Sequence, residues 1–125
     1  RFGHRSGISA RFACDVDEID LPPRVCRELA AIVQESLANV RKHSGATQVL
    51  VRLAGVDGHW QLVVDDNGSG LDFEGRLTAE DLDRQRKGPL IIKERVRAVG
   101  GRLDIHSQPG FGTRLEISVP RRHHG

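Results

Sequence analysis

Leu62-Val63-Val64-Asp65-Asp66-Asn67-Gly68-Ser69-Gly70 is the stretch on which the reading of this chain turns. An apolar run ends in two carboxylates, an amide and two glycines at alternate positions. On the period of two of an extended strand, Leu62, Val64 and Asp66 share one face, while Val63 and Asp65 share the other. Asp66 thus leaves the sheet on the side of two core-type residues. A carboxylate there needs a donor, because an unpaired buried charge is costly. Gly68 and Gly70 let the backbone turn sharply and come close to whatever Asp66 holds. Asp-Asn-Gly is also a common turn signal, so a plain polar turn explains the stretch equally well taken alone. The helix before it and the glycine cluster after it decide between the two.

The 125 residues suit one domain with a single core. The 19 basic and 17 acidic side chains nearly balance, which gives little support for a nucleic-acid surface. Arg121-Arg122-His123-His124 reads as a tail, residues 121–125. Cys14 and Cys26 share no metal-ligand spacing and are too few for a disulfide framework. Free thiols fit a reducing, cytoplasmic compartment. No apolar run reaches membrane-spanning length. The chain begins Arg1-Phe2, which points to a piece of a longer protein whose parent is free to be membrane-anchored.

Upstream, Ile8, Ala10, Phe12 and Cys14 alternate as a first strand. Leu21-Pro22-Pro23 then opens a helix expected over about Arg24 to Lys42. Its apolar stripe reads Cys26, Leu29, Ala30, Val33, Leu37 and Val40. Glu35 and Asn39, one turn apart, fall on the opposite face, with Lys42 and His43 one turn further along. Such a face is most often merely solvated, but an asparagine in mid-helix forms helix poorly and tends to compete for backbone bonds.

Strands follow over Thr47 to Ala54 and His59 to Asp66, joined at Asp57-Gly58 as a hairpin. Trp60, the single tryptophan, reads as a packing residue. Residues 71–87 lack a period and are expected to be a mobile connection, with a short helix near Thr78 to Arg84 capped by Thr78. Leu90, Ile91, Ile92, Val96 and Val99 mark a second long helix, which Gly100-Gly101 ends. Two strands, Arg102 to Ser107 and Thr113 to Val119, flank the turn Gln108 to Gly112. Successive hairpins predict an α/β (α+β) two-layer sandwich: a mixed, mainly antiparallel sheet covered on one face by helices.

Four stretches in order carry a resemblance. They are Gln34-Glu35-Ser36-Leu37-Ala38-Asn39-Val40-Arg41-Lys42-His43-Ser44, then Asp66-Asn67-Gly68-Ser69-Gly70, then Lys93-Glu94-Arg95-Val96 with Gly100-Gly101, and Pro109-Gly110-Phe111-Gly112-Thr113. Together they resemble the ATP-binding catalytic domain of two-component sensor histidine kinases. That domain has the Bergerat-type fold of the superfamily shared with DNA gyrase, the Hsp90 chaperone and MutL. The resemblance runs from about Ile8 to Pro120 and is nearest to kinases paired with LuxR-type response regulators. It implies one ATP-binding domain over residues 1–120, with an ATP lid near 71–88.

The same resemblance implies roles. Asn39 would coordinate Mg²⁺, and Glu35 would orient or activate the accepting group near the γ-phosphate. Lys42 and His43 would contact the phosphates. Asp66 would accept a hydrogen bond from the adenine amino group, with Gly68 and Gly70 leaving room for base and ribose. Gly88 and Gly112 would line the nucleotide, and Thr113 would hold the adenine-side network. The implied activity is protein-histidine kinase signal transduction to a response regulator. The phosphoaccepting histidine would sit on a separate dimerisation domain of a homodimeric parent. His4, His43, His59, His106, His123 and His124 lack the acidic setting of such an acceptor, so the fragment alone is expected not to autophosphorylate.

The chain departs from the pattern at Arg86-Lys87-Gly88-Pro89-Leu90-Ile91-Ile92. Only Gly88 is kept; Arg86 and Ile91 replace glycines and Pro89 replaces leucine. Glycines there would bring backbone amides to the phosphates at a helix start. A fold that has lost nucleotide and catalysis therefore stands as an alternative to the histidine kinase; a related protein-serine kinase of the anti-sigma type stands as another.

Overall fold

The computed structural model describes residues 9–14, 21–41, 45–56, 58–69, 75–85 and 90–120. Six strands and three helices follow in the order β1 (Ser9–Cys14), α1 (Pro23–Asn39), β2 (Gln48–Val56), β3 (His59–Asp66), β4 (Gly75–Thr78), α2 (Ala79–Gln85), α3 (Leu90–Ala98), β5 (Arg102–Gln108) and β6 (Gly112–Pro120). They build one open sheet of order β1-β2-β3-β6-β5-β4. Only β1 and β2 run parallel; every other neighbouring pair is antiparallel. This is the mixed sheet expected from the hairpins.

The alternation read from β3 holds. Leu62 and Val64 stand opposite Leu53 and Val51 of β2, and opposite Ile117 and Leu115 of β6. These residues share one core with Leu29, Ile32, Leu37, Ile92 and Val96 of the helices. Trp60 is only 1% exposed, as a packing residue should be. The other sheet face is polar. Arg76 reaches Asp104 at 3.0 Å, and Arg114 reaches Glu116 at 3.1 Å.

Three expectations are corrected. The buried stripe of α1 runs through Leu29, Ile32, Ser36, Leu37 and Val40, while Cys26 and Ala30 are exposed. At about 100° per residue the stripe is turned by roughly 50° from the one expected. The reason is that α1 packs against α3 as well as the sheet. The helix also stops at Asn39, and Val40 and Arg41 continue it as a wider π turn.

The third correction concerns the connection after β3. Residues 75–78 form an edge strand paired with β5, and α2 follows directly. Leu82 of α2 is completely buried in the core. Thr78 caps α2 as expected, in a reciprocal pair: the Asp81 amide donates to Thr78 Oγ1 at 3.2 Å, and the Thr78 amide donates to Asp81 Oδ2 at 3.1 Å. These bonds hold the Asp81 carboxyl below its ordinary range. Four residues are too short to show a period, and so β4 left no signal in the sequence.

Candidate functional site

The C-terminal end of β3 is fixed from three sides. Asn67 Oδ1 accepts the backbone amides of Thr47 and Gln48, both at 2.9 Å, and Asn67 Nδ2 donates to Thr47 Oγ1 at 3.1 Å. This ties the turn to the start of β2. Ser69 accepts the Gly110 amide at 2.7 Å, which ties the first glycine cluster to the last. Gly112 approaches from β6 so closely that a Cβ there would collide with the Asp66 carbonyl oxygen. Its φ of +142° is in any case unfavourable for a side chain.

Asp66 is half-buried at this junction. One carboxylate oxygen accepts the Gly68 amide at 2.8 Å. Burial pushes the carboxyl above its ordinary value; the amides of Gly68 and Thr113 oppose that rise, and neighbouring Asp65 adds to it. The result is a half-buried carboxylate held at a strand end, its burial only partly offset by the two amides. Thr113 is the residue directly opposite Asp66 on β6. Asp66, Ser107, Gly112 and Thr113 border a cleft of about 520 Å³ that extends onto the polar face past Arg76, His106 and Arg114.

The second half of the site lies on α1. Glu35 and Asn39 are both half-buried and share the flank of α1 that carries Glu28. They border the buried stripe, because that stripe is turned toward them. Among the described residues, no hydrogen bond or ion pair holds either side chain. Neither residue lines the cleft beside Asp66. Lys42, His43, Gly70 and Gly88 lie outside the described residues.

Helix α3 ties the helical layer together. Glu28 Oε1 accepts from Arg95 Nη1 at 2.9 Å, and the Ala98 carbonyl accepts from Arg24 Nη2 at 2.6 Å. Asp83 of α2 accepts from Lys93 Nζ at 3.0 Å and from Arg97 Nη2 at 2.8 Å. Sequence reading singled out Lys93 and Arg95 as a motif without giving them partners. Their carboxylate partners lie 10 and 67 positions away, and no local pattern announces them.

The profile of the histidine kinase-, DNA gyrase B- and HSP90-like ATPases matches residues 25–123. The chain belongs to this family. An uncharacterized sensor-like histidine kinase of Chloroflexus aurantiacus is 39% identical over 107 residues, covering 85% of this chain and 18% of that protein. Sensor protein VraS of Staphylococcus aureus is 30% identical over 106 residues, covering 85% of this chain and 29% of VraS. The chain thus spans less than a third of these relatives. The histidine kinase domain of the Erythrobacter litoralis EL346 blue-light activated kinase superposes with a TM-score of 0.73 at 24% identity, covering 96% of this chain and 56% of that one. The ATP binding domain of PrrB from Mycobacterium tuberculosis gives 0.69 at 21%, covering 98% and 90%. The family ATPases and this chain therefore share a mixed sheet with helices, as the hairpin pattern predicted.

Proposed function

We propose that this family ATPase domain binds Mg-ATP and donates the γ-phosphoryl group to a histidine on a separate dimerisation domain of the same sensor kinase. The observation that carries the reading is Asp66: a half-buried carboxylate at a strand end, with its raised proton affinity, inside a junction that Gly112 keeps closed. Such a group gains most from a donor that a ligand brings. The adenine amino group is that donor, and a guanine carbonyl in its place would meet the carboxylate repulsively.

Asn39 is the residue to hold Mg²⁺. Among the described residues no three His, Cys, Asp or Glu side chains converge as a metal cage. Magnesium commonly keeps several waters and binds through phosphate oxygens with one or two protein oxygens. One half-buried amide, without a partner among the described residues, fits that mode. When bound, the ion neutralises charge on the phosphates. Glu35, one turn before Asn39, would orient or activate the accepting imidazole, taking its proton as the P–N bond forms and the bond to ADP breaks. The rest is positioning, which dominates phosphoryl transfer. Lys42 and His43 as phosphate contacts, and Gly68, Gly70, Gly88 and Thr113 as the nucleotide's lining, complete the proposal.

The acceptor is assigned to another part of a longer, homodimeric protein. The histidines within the described residues, His59 and His106, both stand on the sheet face opposite the helices. The downstream partner in this reading is a response regulator of the LuxR-type class. Transfer of labelled phosphate from ATP in the longer protein tests the whole. The product should be acid-labile and alkali-stable, as a phosphoramidate is. An acid-stable product would move the serine-kinase reading to the front. Absence of both binding and transfer would make Arg86, Pro89 and Ile91 the marks of a domain that has lost its nucleotide.

A further inference from the structure

The pair Glu28–Arg95 lies outside every stretch to which a nucleotide contact is assigned, yet it sits on the helix flank that carries Glu35 and Asn39. Arg24 of α1 meets Ala98 at the end of α3, and Glu28, one turn on, meets Arg95, one turn back. The two helices therefore run antiparallel, and the two bonds set their axial register. Glu35 stands about 10 Å beyond Glu28 along α1, at a rise of about 1.5 Å per residue. The first residue of α3, Leu90, stands about 7.5 Å before Arg95 on the same measure. The register thus places Glu35 about 3 Å beyond the first residue of α3 along the axis, and Asn39 about 9 Å beyond it. A helix start concentrates free backbone amides and positive dipole, the natural neighbour of phosphate.

We infer that Glu28 and Arg95 are positioning residues: their ion pair sets the axial position of Glu35 and Asn39 against the N-terminal end of α3, and so aligns the γ-phosphate with its acceptor. The inference rests on the histidine-kinase reading above. Asp66 is held by β2, β6 and its own turn, none of which involves this pair. Adenine recognition should therefore be indifferent to it, while transfer should not. The pair is part-exposed, with side chains 27% and 41% accessible, so its removal leaves the core intact.

The test is a double-mutant cycle in the full-length parent kinase with Glu28→Gln, Arg95→Met and both together. Arg95→Lys serves as the conservative variant. Each charge-removing change should lower the rate of transfer at saturating Mg-ATP about tenfold, equivalent to about 1.4 kcal/mol. Affinity for ADP without Mg²⁺ should stay within about twofold, and Arg95→Lys should recover most of the rate. The double variant should be no slower than the worse single, because contacting residues are not additive. Losses that multiply, unchanged rates, or a matching loss of ADP affinity would each overturn the inference. An unmodified parent that binds ATP but labels no histidine would sink the kinase reading instead. The ratio of Mg-ATP to ADP affinity then decides the clamp, and an unchanged ratio in Glu28→Gln would refute it.

Discussion

The carbonyl oxygen of Asp66 fills the space that a side chain on Gly112 would need. A Cβ there would also lie 3.1 Å from the Asp66 carbonyl carbon and 3.2 Å from Asn67 Cα. All three atoms are backbone, so no rotamer change relieves the contact. Gly112→Ala should therefore strain the chain twice, through the collision and through φ, the latter by about 1–3 kcal/mol. The expected outcome is a lower urea midpoint, with a loss of nucleotide affinity beyond what the unfolded fraction explains. An unchanged midpoint would mean that β6 can retreat from β3 at little cost.

Asp66→Asn should separate binding from stability. Burial raises the proton affinity of Asp66 in the fold. Its contribution to stability is therefore full below the ordinary carboxylate range and is lost as pH rises through the raised value. Asparagine cannot ionise and can still accept the Gly68 amide. The variant should melt no lower than the wild type at neutral pH, with its relative advantage shrinking on acidification. Losing a charge-assisted bond to a buried amine should cost about 2–5 kcal/mol of ATP affinity. Calorimetric titration beside thermal melts at two pH values measures both, and near-normal affinity would remove Asp66 from adenine recognition.

The Asn67 side chain makes three bonds across to the start of β2, and no local rule predicted them. An Asn-Gly pair reads as a turn from sequence, and a turn it is. That its amide should also clamp Thr47 and Gln48, about twenty positions earlier, depends on the β2–β3 register. The strands carrying long alternating runs were legible for the opposite reason: one buried face over several residues leaves a period of two. β4 has four residues and no room for one. The α1 stripe was misread by part of a turn because pattern alone cannot say how many neighbours a helix has. Asn39 and Asp66 stood out because each is a residue type that its element does not favour, and Glu35 because it stands one turn before Asn39 on the same side of the helix. Asn67→Ala should lower stability by about 0.5–1.5 kcal/mol, the net worth of an ordinary hydrogen bond, because the bonds of this side chain are exposed; an unchanged stability would mean that water replaces the clamp.

Residues 75–85 should be protected from hydrogen exchange before any nucleotide is added. They pair with β5, bury Leu82 and dock through Asp83 on Lys93, whose side chain is 7% exposed. Leu82→Ala should destabilise the domain by about 2–5 kcal/mol, as for a fully buried leucine. The Lys93 hydrogen bond, opposed by partial burial and joined by Arg97, holds the Asp83 carboxyl below its ordinary value. Its contribution is therefore present above the ordinary carboxylate range and fades as pH falls through the depressed value. Protection of α2 should weaken in acid, and Asp83→Asn should weaken it at neutral pH as well. Rapid exchange across 75–85 in the free domain at neutral pH would restore the mobile connection first expected there.

Asn39→Ala should act on the metal and leave the base alone. Asn39 ends the regular part of α1, half-buried and without a partner among the described residues, immediately before the π turn at Val40 and Arg41. Asp66 lies on a separate element, so the two groups can be tested independently. Under the proposed role, wild-type affinity for ATP should rise on adding Mg²⁺, because Asn39 would hold the ion at the phosphates. In the variant that rise should shrink while affinity without Mg²⁺ stays within about twofold, since an interaction made only when Mg²⁺ is bound cannot change the affinity in its absence. Transfer in the longer protein should fall further than binding, because loss of Asn39 would remove a group that positions the phosphates for transfer as well as one that binds them. Alanine is also the better helix former, so thermal stability should hold or rise by a few tenths of a kcal/mol, which excludes unfolding as the cause. If the gain from Mg²⁺ is the same in both proteins, Asn39 is not the ligand, and Glu35 on the preceding turn becomes the residue to test next.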